Sequence, residues 1–137
     1  MSLHEPAPER QSLPPTAHSV LIADDDDTLR EQLATYLDRQ GIRCLLAKDG
    51  AETLEILEAQ RPEVVLLDVC LPDMSGLEIA RRIRQATPRP EVILMSGYDD
   101  AVSEAKRADL EVLMVIEKPV PLWAVARALD QAFDRAA

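Results

Sequence analysis

Five short apolar runs without internal alternation punctuate the chain: Ser19-Val20-Leu21-Ile22-Ala23, Ile42 to Ala47, Val64-Val65-Leu66-Leu67-Asp68, Val92-Ile93-Leu94-Met95-Ser96 and Val112 to Ile116. Aliphatics at consecutive positions fit strands covered on both sides, because successive side chains of a strand point to opposite faces. Between these runs the period becomes helical. Thr28 to Gln40 places Leu29, Leu33, Tyr36 and Leu37 on one face, with acids at its start and Gly41 as its stop. Asp49 begins a second helix, with Glu52 at capping-box spacing ahead of Leu54 and Leu57, and Pro62 ends it. Ser75 and Glu78 form another capping box before Leu77, Ile79, Ala80 and Ile83, and Pro88 and Pro90 break that helix. Gly97-Tyr98 turns the chain into a short helix around Ala101 to Ala108 that is poor in large apolar residues. Pro121 opens the last helix as a first-turn proline, with Leu122, Val125, Leu129 and Phe133 on one face. Five β-to-α alternations predict an α/β fold: a parallel sheet with right-handed crossovers and helices on both faces.

Composition narrows the class. A chain of 137 residues makes one domain with a sizeable core, and 3% aromatics leave the packing to Val, Ile, Leu and Ala. Met1 to Thr16 carries Pro6, Pro8, Pro14 and Pro15 without an apolar period, so residues 1–16 read as a flexible leader before a domain of residues 17–137. A net charge of -10 argues against direct nucleic-acid or anionic-membrane binding and suits a cation. Cys44 and Cys70 form neither a disulfide framework nor a metal spacing. No apolar run is long enough to span a membrane and the N-terminus lacks a signal-peptide core, so the expected location is the cytoplasm.

The chemistry sits where the apolar runs stop. Asp24 and Asp25 follow the first strand, Asp68 the third, Ser96 the fourth and Lys118 the fifth. A parallel sheet gathers the carboxyl ends of its strands on one edge, so these groups converge although they are distant in sequence. Carboxylates crowded together repel, and a hard divalent cation is the simplest means of keeping them ionised; Mg²⁺ is expected. Lys118 and the Ser96 hydroxyl then offer a point charge and a donor to a phosphoryl group, and a carboxylate so placed can attack phosphorus.

In this order and spacing, Asp24-Asp25, Asp68 with Leu71-Pro72 and Met74-Ser75-Gly76, Ser96-Gly97 and Lys118-Pro119 resemble the receiver domains of two-component response regulators. The resemblance covers roughly Ala17 to Ala137. It implies a doubly wound, flavodoxin-like five-stranded sheet of order 2-1-3-4-5 and a phosphoacceptor at Asp68, charged by a sensor histidine kinase or a histidine phosphotransfer protein. It also implies Mg²⁺, or Mn²⁺ in its place, ligated by Asp25 and Asp68 directly, by Asp24 mostly through water, and by the carbonyl of Cys70. Lys118 would pair first with Asp68 and then with the phosphoryl, Ser96 would swing in to bond it, and the backbones of Val69 and Gly97 would contact it. A downstream effector protein or domain, and a homodimer contact on the side of the last helix and Trp123, complete the implied partners. The resemblance implies no enzyme beyond self-assisted phosphorylation and dephosphorylation.

The chain departs from the family pattern at its output switch. Val115 stands where many receivers carry an aromatic, and Glu111 where Gly is common. The expected switch elements are therefore Ser96, Tyr98 and Val115, with the signal carried through a mobile Gly97-Tyr98 loop and the helix after it. A second family offers a rival. Leu21-Ile22-Ala23-Asp24-Asp25-Asp26-Asp27-Thr28 is similar to the signature of haloacid-dehalogenase-type phosphatases, with Asp24 as nucleophile and Asp26 as acid/base. That reading lacks a strand-borne acidic pair after Lys118 and leaves Asp68 without a role. An EF-hand is excluded, because Leu29 and Thr35 occupy the positions of its Gly and Glu. Asp26 and Asp27 read as solvent-facing acids at a helix start, Cys70 as a small filler beside the site, and His4 and His18 have no companions at metal spacing.

Overall fold

The computed structural model describes residues 17–97 and 103–136. The leader with His4, Tyr98, and Ala101, where the fourth helix was expected to start, lie outside the described residues. The elements alternate as expected: β1 (Ser19–Ala23), α1 (Asp27–Asp38), β2 (Arg43–Ala47), α2 (Gly50–Gln60), β3 (Val64–Asp68), α3 (Gly76–Arg84), β4 (Glu91–Ser96), α4 (Glu104–Leu110), β5 (Met114–Glu117) and α5 (Leu122–Ala136). All strand pairs are parallel and the sheet order is β2-β1-β3-β4-β5. The chain winds outward from β1 in both directions.

Alternation along each strand separates two cores. Val20, Ile22, Val64, Leu66, Ile93 and Met95 face Leu33 and Leu37 of α1 and Val125, Leu129 and Phe133 of α5. Leu21, Val65, Leu67, Val92 and Leu94 face Ile79 and Ile83 of α3 and Leu110 of α4, with Leu54 and Leu57 of α2 packed alongside. Every residue of β3 is buried. At about 1.5–3 kcal/mol for each large aliphatic side chain removed from water, this central strand anchors the domain. The Lys118–Pro119 and Thr87–Pro88 peptide bonds are cis.

Local details differ from the sequence pattern in three places. Ser75 caps α3, but its hydroxyl accepts from the amide of Leu77, and Glu78 pairs forward with Arg81 and Arg82 rather than back to the cap. Two cations one turn ahead outcompete a backbone amide for that carboxylate. At α2, Asp49 accepts from the amide of Glu52, while Glu52 accepts from Lys48 N, one residue before the cap. β5 begins at Met114 rather than Val112, because the Val112 amide closes the end of α4 on the carbonyl of Arg107. Glu111 at that helix end has φ 58 and ψ 37, the left-handed conformation that a Gly would take without strain.

Candidate functional site

Register places the polar groups. Ala23 pairs with Leu67, so Asp24 and Asp68 leave the sheet side by side, and the Asp24 amide is fixed on the Ala47 carbonyl at 3.1 Å. Ser96 pairs with Glu117, and the Lys118 amide donates to the Ser96 carbonyl at 2.8 Å. The lysine therefore starts beside the end of β4 and reaches across the edge. Its Nζ lies 2.9 Å from Asp24 Oδ2 and 3.2 Å from Asp68 Oδ2.

The two carboxylates are deeply enclosed, Asp24 being 0% and Asp68 3% exposed. Asp24 Oδ1 accepts from the Asp26 amide at 2.8 Å, and its Oδ2 faces the Lys118 ammonium. Asp68 Oδ1 accepts from the Cys70 amide at 3.1 Å. Burial pushes the Asp68 carboxyl above its ordinary value, and the neighbouring charge of Asp24 adds to this against the pull of the Cys70 amide and Lys118. Desolvation alone would lower Lys118, but the hydrogen bond and charge of Asp24, joined by Asp68, raise it. Lys118 is thus a fixed cation between two acids.

Asp25 is exposed and completes a group with Asp24 and Asp68 in which one carboxylate oxygen from each lies within 4.8 Å of the others. Hard oxygen donors at such spacing fit a small divalent cation that retains water. The other two acids of the run face away: Asp26 caps α1 through the Leu29 amide at 3.1 Å, and Asp27 pairs with Arg30. The Ser96 side chain is buried at the strand end, with its hydroxyl donating to the Gly97 carbonyl at 3.2 Å.

The Val69 amide, an expected phosphoryl contact, donates to Met95 O at 3.0 Å, and the Cys70 amide donates to Asp68. Cys70 is exposed, so it is not a packed filler. Val115 is half-buried against the α2–α3–α4 side and, having no ring, fills little space. Trp123 is 62% exposed at the start of α5. His18 stacks on Phe133 with ring centroids 4.3 Å apart, and its Nδ1 lies 3.1 Å from Glu63 Oε1.

Several supporting residues carry no signal in the sequence pattern. Arg30 donates to the Asp24 carbonyl at 2.7 Å, and Asp73 accepts from the amides of Gly50 and Ala51 at 2.6 and 3.0 Å. Gly76 is required by contact. A β-carbon there would overlap the carbonyl oxygen of Asp68 and stand 2.9 Å from Asp68 C and Val69 Cα. A groove of about 510 Å³ lies at the opposite edge of the sheet, lined by residues such as Leu54, Pro62, Ile83 and Pro88, and is remote from these groups.

A parallel sheet with an acidic pocket and a lysine at its carboxyl edge defines the class of protein, and comparison with known proteins gives the same answer. The response regulator receiver domain matches residues 20–130. Response regulator RR06 of Streptococcus pneumoniae is 33% identical over 117 residues, 85% of this chain and 54% of that protein. Transcriptional regulatory protein AfsQ1 of Streptomyces coelicolor is 42% identical over 82 residues, 60% of this chain and 36% of that protein. The chain thus spans about half or less of the curated relatives it matches. Among solved structures, the CheY-like receiver domain protein of Methanospirillum hungatei superposes with a TM-score of 0.82 at 24% identity, covering 88% of this chain and 97% of that one. The receiver domain protein of Clostridium thermocellum gives 0.80 at 27% identity, covering 86% and 95%.

The chain belongs to the response regulator receiver domain family, and with it to two-component signalling. The phosphatase reading loses its support: Asp26, its acid/base, is engaged as a helix cap, and Asp68 has a place in the pocket.

Proposed function

We propose that the chain accepts a phosphoryl group on Asp68 from the phosphohistidine of a sensor kinase or a histidine phosphotransfer protein. The observation that carries this reading is the meeting of Asp24, Asp68 and Lys118 through contacts of 2.9 and 3.2 Å at the carboxyl edge of a receiver fold. Asp24, Asp25, Asp68 and the Cys70 carbonyl would hold Mg²⁺, with Mn²⁺ as its substitute. One carboxylate oxygen from each of Asp24, Asp25 and Asp68 lies within 4.8 Å of the others, a set of hard donors that fits such an ion. Bound there, the ion supplies charge neutralisation for the carboxylates and for the phosphoryl oxygens.

An Asp68 oxygen attacks phosphorus, the phosphorus–nitrogen bond breaks, and the departing imidazole keeps the electron pair. Lys118, held between the two acids, needs only a small movement to pair with a phosphoryl oxygen. The amides of Cys70 and Gly97 and the hydroxyl of Ser96 are the further donors in this scheme. Water later attacks the acyl phosphate and restores Asp68, so the chain assists its own dephosphorylation and is not a turnover enzyme.

The signal passes through Ser96, the Gly97-Tyr98 segment and α4, since Val115 has no ring to reorient. Its reader is an effector protein or effector domain, with the surface of α5 around Trp123 as the contact for that reader or for a second copy. The cytoplasm, where a sensor kinase presents its phosphohistidine, is the proposed setting. Incubation with a small acyl phosphate and Mg²⁺, followed by mass mapping, tests the scheme. Label is expected on Asp68 and absent from a folded Asp68→Asn variant; label on Asp24 would overturn the assignment.

A further inference from the structure

We infer that Asp73 is a positioning residue for the cation pocket, its carboxylate tying the β3–α3 loop that carries Cys70 to the first turn of α2. The inference rests on reading Asp24, Asp25, Asp68 and the Cys70 carbonyl as a divalent-cation site.

The first turn of a helix leaves its amides without intrahelical partners. In α2 the division is complete: Asp49, the local cap, accepts from Glu52, and Asp73, 23 residues away from Gly50 in sequence, accepts from Gly50 at 2.6 Å and Ala51 at 3.0 Å. A carboxylate on a helix N-terminus also meets the positive end of the helix dipole, which strengthens the tie. The approach is close because residue 50 has no side chain. A β-carbon on Gly50 would overlap Met74 Cγ and lie 2.9 Å from Met74 Sδ and 3.0 Å from Asp73 Oδ1.

The same β2–α2 turn supports the other wall of the pocket. Ala47, three residues before Gly50, holds the Asp24 amide through its carbonyl at 3.1 Å. Both walls, Asp24 on one side and the loop from Asp68 through Cys70 on the other, are therefore referenced to one short stretch of chain. At its own ends the loop is fixed by Val69 N on Met95 O at 3.0 Å and by Gly76 N on Val69 O at 2.7 Å. Asp73 fixes its middle. Loss of that tie lets the Cys70 carbonyl drift relative to Asp24 while the charges in the pocket stay as they are.

Mg²⁺ titration of the full chain, followed by the amide resonance of Cys70, reads this directly. Asp73→Ala is expected to raise the Mg²⁺ midpoint about tenfold, the lower end of what outer-shell partners are worth to a metal site. Asp73→Asn, which keeps one acceptor oxygen, is expected to fall between Asp73→Ala and the parent. Gly50→Ala pushes the same loop away without removing a charge, and is expected to raise the midpoint as well. An unchanged midpoint in Asp73→Ala overturns the inference. So does a weakened Asp73→Ala beside an unaffected Gly50→Ala, since the lost charge alone would then account for the effect. A parent protein with no saturable Mg²⁺ response would instead remove the cation-site reading itself.

Discussion

Replacing Gly76 by Ala perturbs the phosphoacceptor through the backbone alone. The new methyl would overlap the Asp68 carbonyl oxygen and stand 2.9 Å from Asp68 C and Val69 Cα, where ordinary contact begins at 3.4 Å. The start of α3 must therefore retreat by at least about 0.5 Å, and further to clear the oxygen. The obstacle is the main chain of Asp68 and Val69, so no side-chain rotation relieves the overlap, and the Gly76–Val69 hydrogen bond of 2.7 Å is stretched with it. Overpacking of this kind costs about 1–3 kcal/mol, and backbone neighbours place Gly76→Ala near the upper value. For a domain of this size about 4 °C of melting temperature accompanies each kcal/mol, so a fall of about 8–12 °C is expected by thermal or denaturant unfolding. The displaced strand end carries Asp68, and a misplacement approaching 1 Å costs a reaction about 100-fold, so labelling by an acyl phosphate should slow by about 10- to 100-fold. A variant within 0.5 kcal/mol of the parent that labels at the parental rate would refute the reasoning.

Three further outcomes follow from the pocket. Asp68 has a folded-state pKa above the ordinary 3.8, so the native state keeps its proton where the unfolded chain has lost it, and stability falls as pH rises from about 3.8 through the raised value. In metal-free unfolding the parent should therefore lose more stability across that window than Asp68→Asn, and parallel curves would contradict the burial argument. Lys118→Met leaves two enclosed carboxylates without their cation and should cost about 2 kcal/mol, below the 3–5 of fully buried pairs because the lysine is 26% exposed. Mg²⁺ should bind this variant more tightly than the parent, which calorimetry would show; an equal or weaker affinity counts against the lysine's place between the acids. Asp25→Asn removes an exposed acid, so stability should stay within about 0.5 kcal/mol while the Mg²⁺ midpoint rises, and an unmoved midpoint would take Asp25 out of the site.

The elements were legible because the physics that forms them is local. Consecutive aliphatics mark strands buried on both faces, and Asp26, Asp49, Ser75 and Gly41 mark helix ends through their own side chains or backbone freedom. The details that this pattern does not settle are competitions between alternative partners: Glu78 takes the arginines of its own helix over its cap, and the Val112 amide closes α4 instead of opening β5. Asp73 carries no signal at all, since an acid in a loop after a proline looks like any solvated turn until the first turn of α2 is placed against it.

The four aspartates after β1 separate the two kinds of information. The order of residues alone shows a run of acids after a buried strand, Asp68 and Ser96 ending two others, and Lys118 following the last. Only the tertiary structure divided the run. Pairing of Ala23 with Leu67 turns Asp24 inward beside Asp68 and Lys118, leaves Asp25 at the rim, and hands Asp26 and Asp27 to the start of α1. Four identical side chains cannot differ in chemistry, so their roles were set by strand register and by which neighbours each one met.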